Sequence, residues 1–324
     1  MNRDESLDVI KAIAIIFVVV GHFPQQSKDS YYYFKNYFIY YFHIPLFFIV
    51  LGVLLKRNRA KYLEGGFQLF LKEKTKVLAP YYFFLIIIGW GYTYFIIRDY
   101  SIYGAISILL TPMYSEVSLI WFLQVYYLMS LIGFYIIRFN DKIIIYLFLL
   151  ITLIVFIFAN KLNSYYELRY ISLNLLIFNL PFLIFGLILN KSTLDILINN
   201  NNKFYYTILF STFIIITLII SYHVNKPFPM NLYILFKILI APPMFLLLYY
   251  SNKLLSNRLK RLMLHVGQAS MLIYVTHLGV ITIYYLIKKK YFSSINNEYL
   301  FFEVIVLTLI SIYVGAKLNK YNKR

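Results

Sequence analysis

An all-α, polytopic membrane helix bundle of about ten transmembrane helices, with both termini cytoplasmic, is the fold class the sequence predicts, on three observations. Of the 324 residues, 61% are hydrophobic and 14% charged, against about 45–50% and 25% in an ordinary soluble domain. Apolar runs of about 20 residues, long enough to cross a hydrocarbon core, recur along nearly the whole chain. The basic residues are also shared unequally between alternate connections. A cytoplasmic N-terminus assigns 21 of the 31 Lys and Arg to cytoplasmic segments and 9 to external ones, with Lys237 left inside a span, which is the asymmetry that sets orientation.

The first span, 7–23, carries nine apolar residues in a row between Lys11 and Gly21-His22. Its length suits a signal-peptide core, but Lys11 interrupts the start and GHFPQQS offers a poor small-residue cleavage site, so it is expected to stay. Span 37–55 returns from an outer loop at 24–36 and ends in KRNR, and span 77–97 opens on LAPYYFF after the basic run KEKTK. Spans 119–138 and 142–159 follow, then 172–190, and 203–222 comes after the polar linker NNNNK. Span 232–250 contains APPM, the one strong breaker well inside a span; spans 268–287 and 299–317 complete the set. The KKK at Lys288 to Lys290 falls on the outside of this topology and is its local exception.

These spans leave no room for a soluble domain, so residues 1–324 are expected to form a single integral-membrane domain in a bacterial plasma membrane. The net charge of +18 lies in the short connections, so it points to membrane topology and anionic lipid, not to nucleic acid. Zero cysteines exclude a disulfide framework, a thiolate metal site and a cysteine nucleophile. No metal is expected. The many Tyr and Phe gather at span ends, as in YYYF at 31–34, where aromatic belts belong.

Chemistry enters with the first span. Lys11 and His22 are eleven residues apart, which at about 100° per residue puts them within roughly 20° of one helix face and about 16 Å apart along it. Asp4 and Asp8 extend the stripe toward the cytoplasm. Ionisable groups at such depth usually face a bundle interior or a wet cavity, although Lys11 paired to Asp8 and snorkelling explains the lysine equally well. His43 sits near the outer start of the returning span, so two imidazoles are expected at similar depth. Fourteen residues further on, about 21 Å of helix, Arg57 and Arg59 form an Arg-x-Arg pair suited to bidentate phosphate contacts, with Lys61, Lys72, Lys74 and Lys76 following. Lipid anchoring accounts for part of that charge.

The ordered series LDVIKAIAIIFVVVGH, FHIPLFFIVLG, RNR, LAPYYFF, WFL, LPFLIFGLIL and VGQASMLIYVTH resembles membrane acyltransferase family 3 along nearly the whole chain. Lysine, not arginine, before the ten-residue spacer to His22 looks most like the fucose 4-O-acetylase-like branch. Members of that family are multi-span enzymes that move acyl groups, commonly acetyl from acetyl-CoA, onto sugars of cell-surface glycans. The resemblance implies that His22 is the essential histidine, Lys11 the basic member of the opening motif, and Arg57 and Arg59 its Arg-x-Arg motif. His43, Trp121 and His277 occupy further motif positions. Some relatives carry an additional extracellular hydrolase-like domain; none follows here before Arg324, so the chain is expected to act alone or pass acyl groups to a separate partner.

On this reading acetyl-CoA is the acyl-donor co-substrate, held by Arg57, Arg59, Lys74 and Lys76, and a surface polysaccharide or lipid-linked sugar is the acceptor. His22 serves as base or transient acyl carrier, with Lys11 and His43 beside it, and Trp121, Glu116 and His277 are candidates for the acceptor side. Plainer readings stand next to these: Glu116 as a solvated loop carboxylate, His277 as a satisfied mid-span histidine, Lys237 as a snorkelling or paired lysine, and His223 and His265 as loop and interface residues. The rival class is a transporter or flippase of a glycan intermediate. It would call for internal repeats and midplane breaks, and the sequence shows no repeat.

Overall fold

The computed structural model describes residues 4–23, 34–92, 94, 106, 119–164, 172–189, 194, 211–216, 218–219, 229–291 and 300–322, and among these every regular element is helical. The chain divides into two compact units. One comprises Met1–Phe47, Asn202–His223 and Pro243–Arg324; the other comprises Phe48–Asn201 and Val224–Pro242.

In the first unit α1, Glu5–Gly21, is capped by Asp4, whose carboxylate accepts from the Ser6 amide at 2.8 Å. Glu5 and Asp8 lie in the first turn, where negative charge favours the helix dipole. Leu7, Val9, Ile10, Ala12, Ala14, Ile15, Val18 and Val19 are all buried. A helix apolar on nearly every side is a core helix, and α1 is the one around which its unit packs.

A short π-helical turn, Lys35–Ile39, leads into α2, Tyr40–Arg57. Late in the chain α7, Met230–Ser251, is followed by α8, Asn257–Gln268, α9, Ser270–Tyr291, and α10, Leu300–Asn322. The amphipathic α8 lies along the N-terminal half of α1. Gly267 makes this approach possible: a Cβ there would stand 1.9 Å from the Asp8 carbonyl oxygen. Lys260 pairs with Glu5 at 2.5 Å, Asn252 donates to Ser6 at 2.9 Å, and the Tyr249 hydroxyl donates to Asp4 at 3.1 Å. At Ala269 the path bends by 76° into α9.

Helices α9 and α10 run antiparallel. Gly315 sits against the Ile273 backbone, where a Cβ would meet the Ile273 Cα at 2.8 Å, and Lys288 pairs with Glu303 at 2.6 Å. That ion pair gives the anomalous lysine run a local partner: Lys288 belongs to a helix that continues to Tyr291.

The second unit takes the remainder of α2 and of α7, with α3, Arg59–Tyr92, α4, Ile120–Ile136, α5, Asp141–Ser164, and α6, Leu173–Ile188. Gly52 and Gly186 let α2 and α6 touch backbone to backbone, since a Cβ on either would lie 2.2 Å from a carbonyl oxygen of the other helix. Close approach through small residues is the usual way helices associate in lipid. Further along the unit, Val155, Ala159, Phe178 and Ile234 form a core where α5, α6 and α7 meet.

The basic stretch after the second span is not a loop. Arg59 to Lys76 is helical and runs into the 77–97 span, broken only at Gly66, whose φ of 70° a residue with a Cβ rarely adopts. Tyr62, Phe70 and Phe134 supply the packing, with ring centroids 5.1 and 4.7 Å apart.

Three described helices, Tyr40–Arg57, Asp141–Ser164 and Met230–Ser251, are long and apolar enough to cross a membrane, and α8 with α9 makes a fourth if the bent pair is one span. The expected segments at 119–138, 172–190 and 299–317 fall on shorter apolar helices. Segment 7–23 falls on α1, where Glu5, Asp8 and Lys11 dilute the apolar surface. Segment 203–222 lies mostly outside the described residues.

Candidate active site

His22 closes α1 as its C-cap and is half-buried, its Nδ1 lying 2.7 Å from the Val18 carbonyl oxygen one turn earlier. A carbonyl only accepts, so this contact assigns the ring hydrogen to Nδ1 and leaves Nε2 as the lone-pair nitrogen. His277 on α9 repeats the arrangement. Its Nδ1 lies 2.6 Å from the Tyr274 carbonyl oxygen and 3.2 Å from that of Ile273.

The two rings meet edge to face, with centroids 4.9 Å apart and planes at 67°. His277 is fully buried, and its Nε2 has no hydrogen-bond partner among the described residues. An unpaired buried polar atom costs about 1–3 kcal/mol, so the open Nε2 of His277 is available to a further donor.

His43 is buried on α2 with its Nδ1 2.7 Å from the Ile39 carbonyl oxygen. Its ring stands 5.3 Å from Tyr40, and the Tyr40 hydroxyl donates to the Gly21 carbonyl at 2.9 Å. Tyr40 thus lies between His43 and the end of α1, and the imidazole that meets His22 comes from α9. Lys35 adds a cation at the same end. Its ammonium donates to the Phe23 carbonyl at 3.2 Å and lies 5.6 Å from the Tyr40 ring centre, and burial draws its pKa below the usual lysine value. Lys35 and Tyr40 were not singled out from the sequence, where each reads as one more basic or aromatic residue at a span boundary.

Lys11 pairs with Asp8 at 2.6 Å, and Asp8 is buried. An ion pair thus occupies the N-terminal part of α1, and an imidazole pair stands at its C-terminal end.

The remaining candidates belong to the second unit. Arg57 lies in the last turn of α2, half-buried. Arg59 opens α3 and donates to the Phe139 carbonyl at 3.4 Å. Lys56 pairs with Asp141 of α5, and Lys61 pairs with Glu73 at 2.5 Å. Lys74 rests 5.8 Å from the Phe70 ring centre. Burial, only partly offset by Glu73, pulls its pKa down to about 8. Lys76 is exposed. Trp121 lies in the first turn of α4, half-buried, with the Phe122 ring at 5.9 Å. Glu116 lies outside the described residues.

A family model described as an acyltransferase domain matches residues 4–316, whereas no curated protein and no solved structure matches the chain. Members of this family are membrane proteins, which agrees with the apolar helices, and the match supports a membrane acyltransferase. Because it runs from the cap of α1 into α10, taking in the helices of both units, the chain belongs to acyltransferase family 3.

Proposed function

We propose that this chain is a membrane O-acetyltransferase of the fucose 4-O-acetylase-like branch, with ten spans and both termini in the cytoplasm. It carries acetyl from cytoplasmic acetyl-CoA to a hydroxyl of a cell-surface or lipid-linked glycan in a bacterial plasma membrane. The observation that carries this reading is the imidazole pair: His22 is held by Nδ1 with Nε2 as its lone-pair nitrogen, and His277 packs against it.

In the direct route His22 Nε2 takes the proton of the acceptor hydroxyl as its oxygen attacks the thioester carbonyl. The C–S bond then breaks, and the CoA thiolate leaves and takes up that proton. In the two-step route Nε2 attacks the thioester itself, CoA leaves as its thiolate, and the glycan hydroxyl opens the acetyl-imidazolium, its proton ending on the thiolate and the imidazole returning neutral. Arg57, Arg59, Lys74 and Lys76 would hold the CoA phosphates. Lys11 and His43 would act beside His22, and Trp121, Glu116 and His277 would line the acceptor side.

The test is to compare O-acetyl NMR signals of surface polysaccharides from wild-type, deletion and His22→Ala strains, together with acetyl-CoA consumption by the purified chain. Loss of the signals in both altered strains is expected. Unchanged signals with no acetyl-CoA consumption would instead indicate transport of a glycan intermediate.

A further inference from the structure

Ser311 lies on α10 one turn before Gly315, and His277 lies on α9 one turn after Ile273. Gly315 and Ile273 mark a close contact between these antiparallel helices. Moving one turn from that contact, back along one helix and forward along the other, reaches the same level on the same faces. Ser311 therefore stands opposite His277.

Both residues are fully buried, and each has one side-chain polar atom without a partner among the described residues: the hydroxyl of Ser311 and Nε2 of His277. The two atoms are complementary, since a hydroxyl can donate and Nε2 has the lone pair. Serine and threonine in apolar helices ordinarily quiet their hydroxyl on a carbonyl of the preceding turn. Ser130 does so at 2.8 Å and Thr276 does so at 2.8 Å, but Ser311 does not.

We propose that Ser311 is a positioning residue of the acyl-transfer site, its hydroxyl donating to His277 Nε2 directly after a change of side-chain rotamer or through one bridging water. This rests on the reading of His22 as the transfer residue. With Nδ1 on the Tyr274 carbonyl and Nε2 on Ser311, both nitrogens of His277 are engaged, so its ring plane and tautomer are fixed. That fixed ring is the surface against which His22 packs when it takes up a proton or an acetyl group. The order α10 hydroxyl, α9 imidazole, α1 imidazole extends the site onto a third helix of the same unit.

Ser311 and Gly315 are also spaced as a small-xxx-small packing pair, which by itself would require only a small side chain. The experiment separates the two roles. Ser311→Ala keeps the size and removes the hydroxyl, and Ser311→Thr and Ser311→Val share a shape and differ in the hydroxyl. Acetyl transfer is followed for each, with the ring ¹⁵N chemical shifts of His277 in the purified chain as a readout that does not depend on turnover.

The expected result is a kcat about tenfold lower in Ser311→Ala with KM for acetyl-CoA unchanged. A shift of the Nε2 resonance is expected in the same variant, with Thr ahead of Val. Ser311→Ala placed in a His277→Ala background should cost nothing further. Wild-type kcat with an unmoved resonance in Ser311→Ala, or equal values for Thr and Val, would overturn the proposal and leave Ser311 as a packing residue. If the wild-type chain consumes no acetyl-CoA while the Nε2 resonance still moves in Ser311→Ala, the hydrogen bond stands and the functional reading fails.

Discussion

His22 and His277, 255 positions apart in the chain, place their rings 4.9 Å from one another, edge to face, each anchored by Nδ1 to its own helix. An imidazole so held presents Nε2 without having to reorganise, which is the preorganisation that general-base and nucleophilic catalysis both exploit. His22→Gln is expected to lower acetyl transfer by at least about 100-fold with little change in thermal stability, because the ring is only half-buried. Single-turnover assays in detergent, paired with unfolding curves, check both halves of that expectation.

The proposed contact of Lys74 with the donor predicts pH-dependent binding. Burial lowers its pKa to about 8, so the ammonium is charged at pH 7 and mostly neutral at pH 9. If it holds a CoA phosphate, KM for acetyl-CoA should rise across this interval by roughly tenfold, the value of one charge-assisted contact. Lys74→Arg, charged throughout, should show a flat profile. The same depressed pKa gives stability the opposite slope: the folded chain sheds this proton before the unfolded chain does, so Lys74's contribution to folding rises from pH 8 upward.

Gly52→Ala and Gly186→Ala should each weaken the second unit, because either Cβ would lie 2.2 Å from a carbonyl oxygen of the facing helix. Overpacking of this kind costs about 1–3 kcal/mol. The double variant should lose less than the sum, since helices parted by one methyl already accommodate the second. Thermal unfolding in micelles reads both effects.

Lys11 is tested by separating its ion pair from any role toward the donor. Lys11→Ala removes the 2.6 Å partner of the buried Asp8 carboxylate. It should cost about 2 kcal/mol, less than a fully buried pair because Lys11 is partly exposed. In the Asp8→Asn/Lys11→Met double variant, stability should return toward wild type while acetyl transfer stays low. Recovery of transfer along with stability would withdraw Lys11 from the chemistry.

How far the sequence could be read depended on the range of the interaction. That Lys11 and His22 sit on a single helix, one inside it and one closing it, was legible from the unbroken apolar run between them. The meeting of His22 with His277 was not legible. It depends on how α9 leaves the bend at Ala269, a packing outcome that no local pattern encodes. The helical character of Arg59 to Lys76 was hidden by its charge, which reads as a basic connection between spans until the Tyr62, Phe70 and Phe134 rings are seen together. Ser311 left only a faint signal: a small polar residue four before a glycine.

The seat of Gly267 on Asp8 also acts as an index mark. It locks α8 to the first turns of α1, and only Ala269 separates α8 from the helix that carries His277. The angular setting of His277 toward His22 is therefore counted from that mark, residue by residue, along the first two turns of α9. One residue added between Gly267 and His277 would turn the imidazole by about 100° and aim it away from His22, with no atom of either histidine altered. The length of this short stretch is as much a part of the site as its side chains.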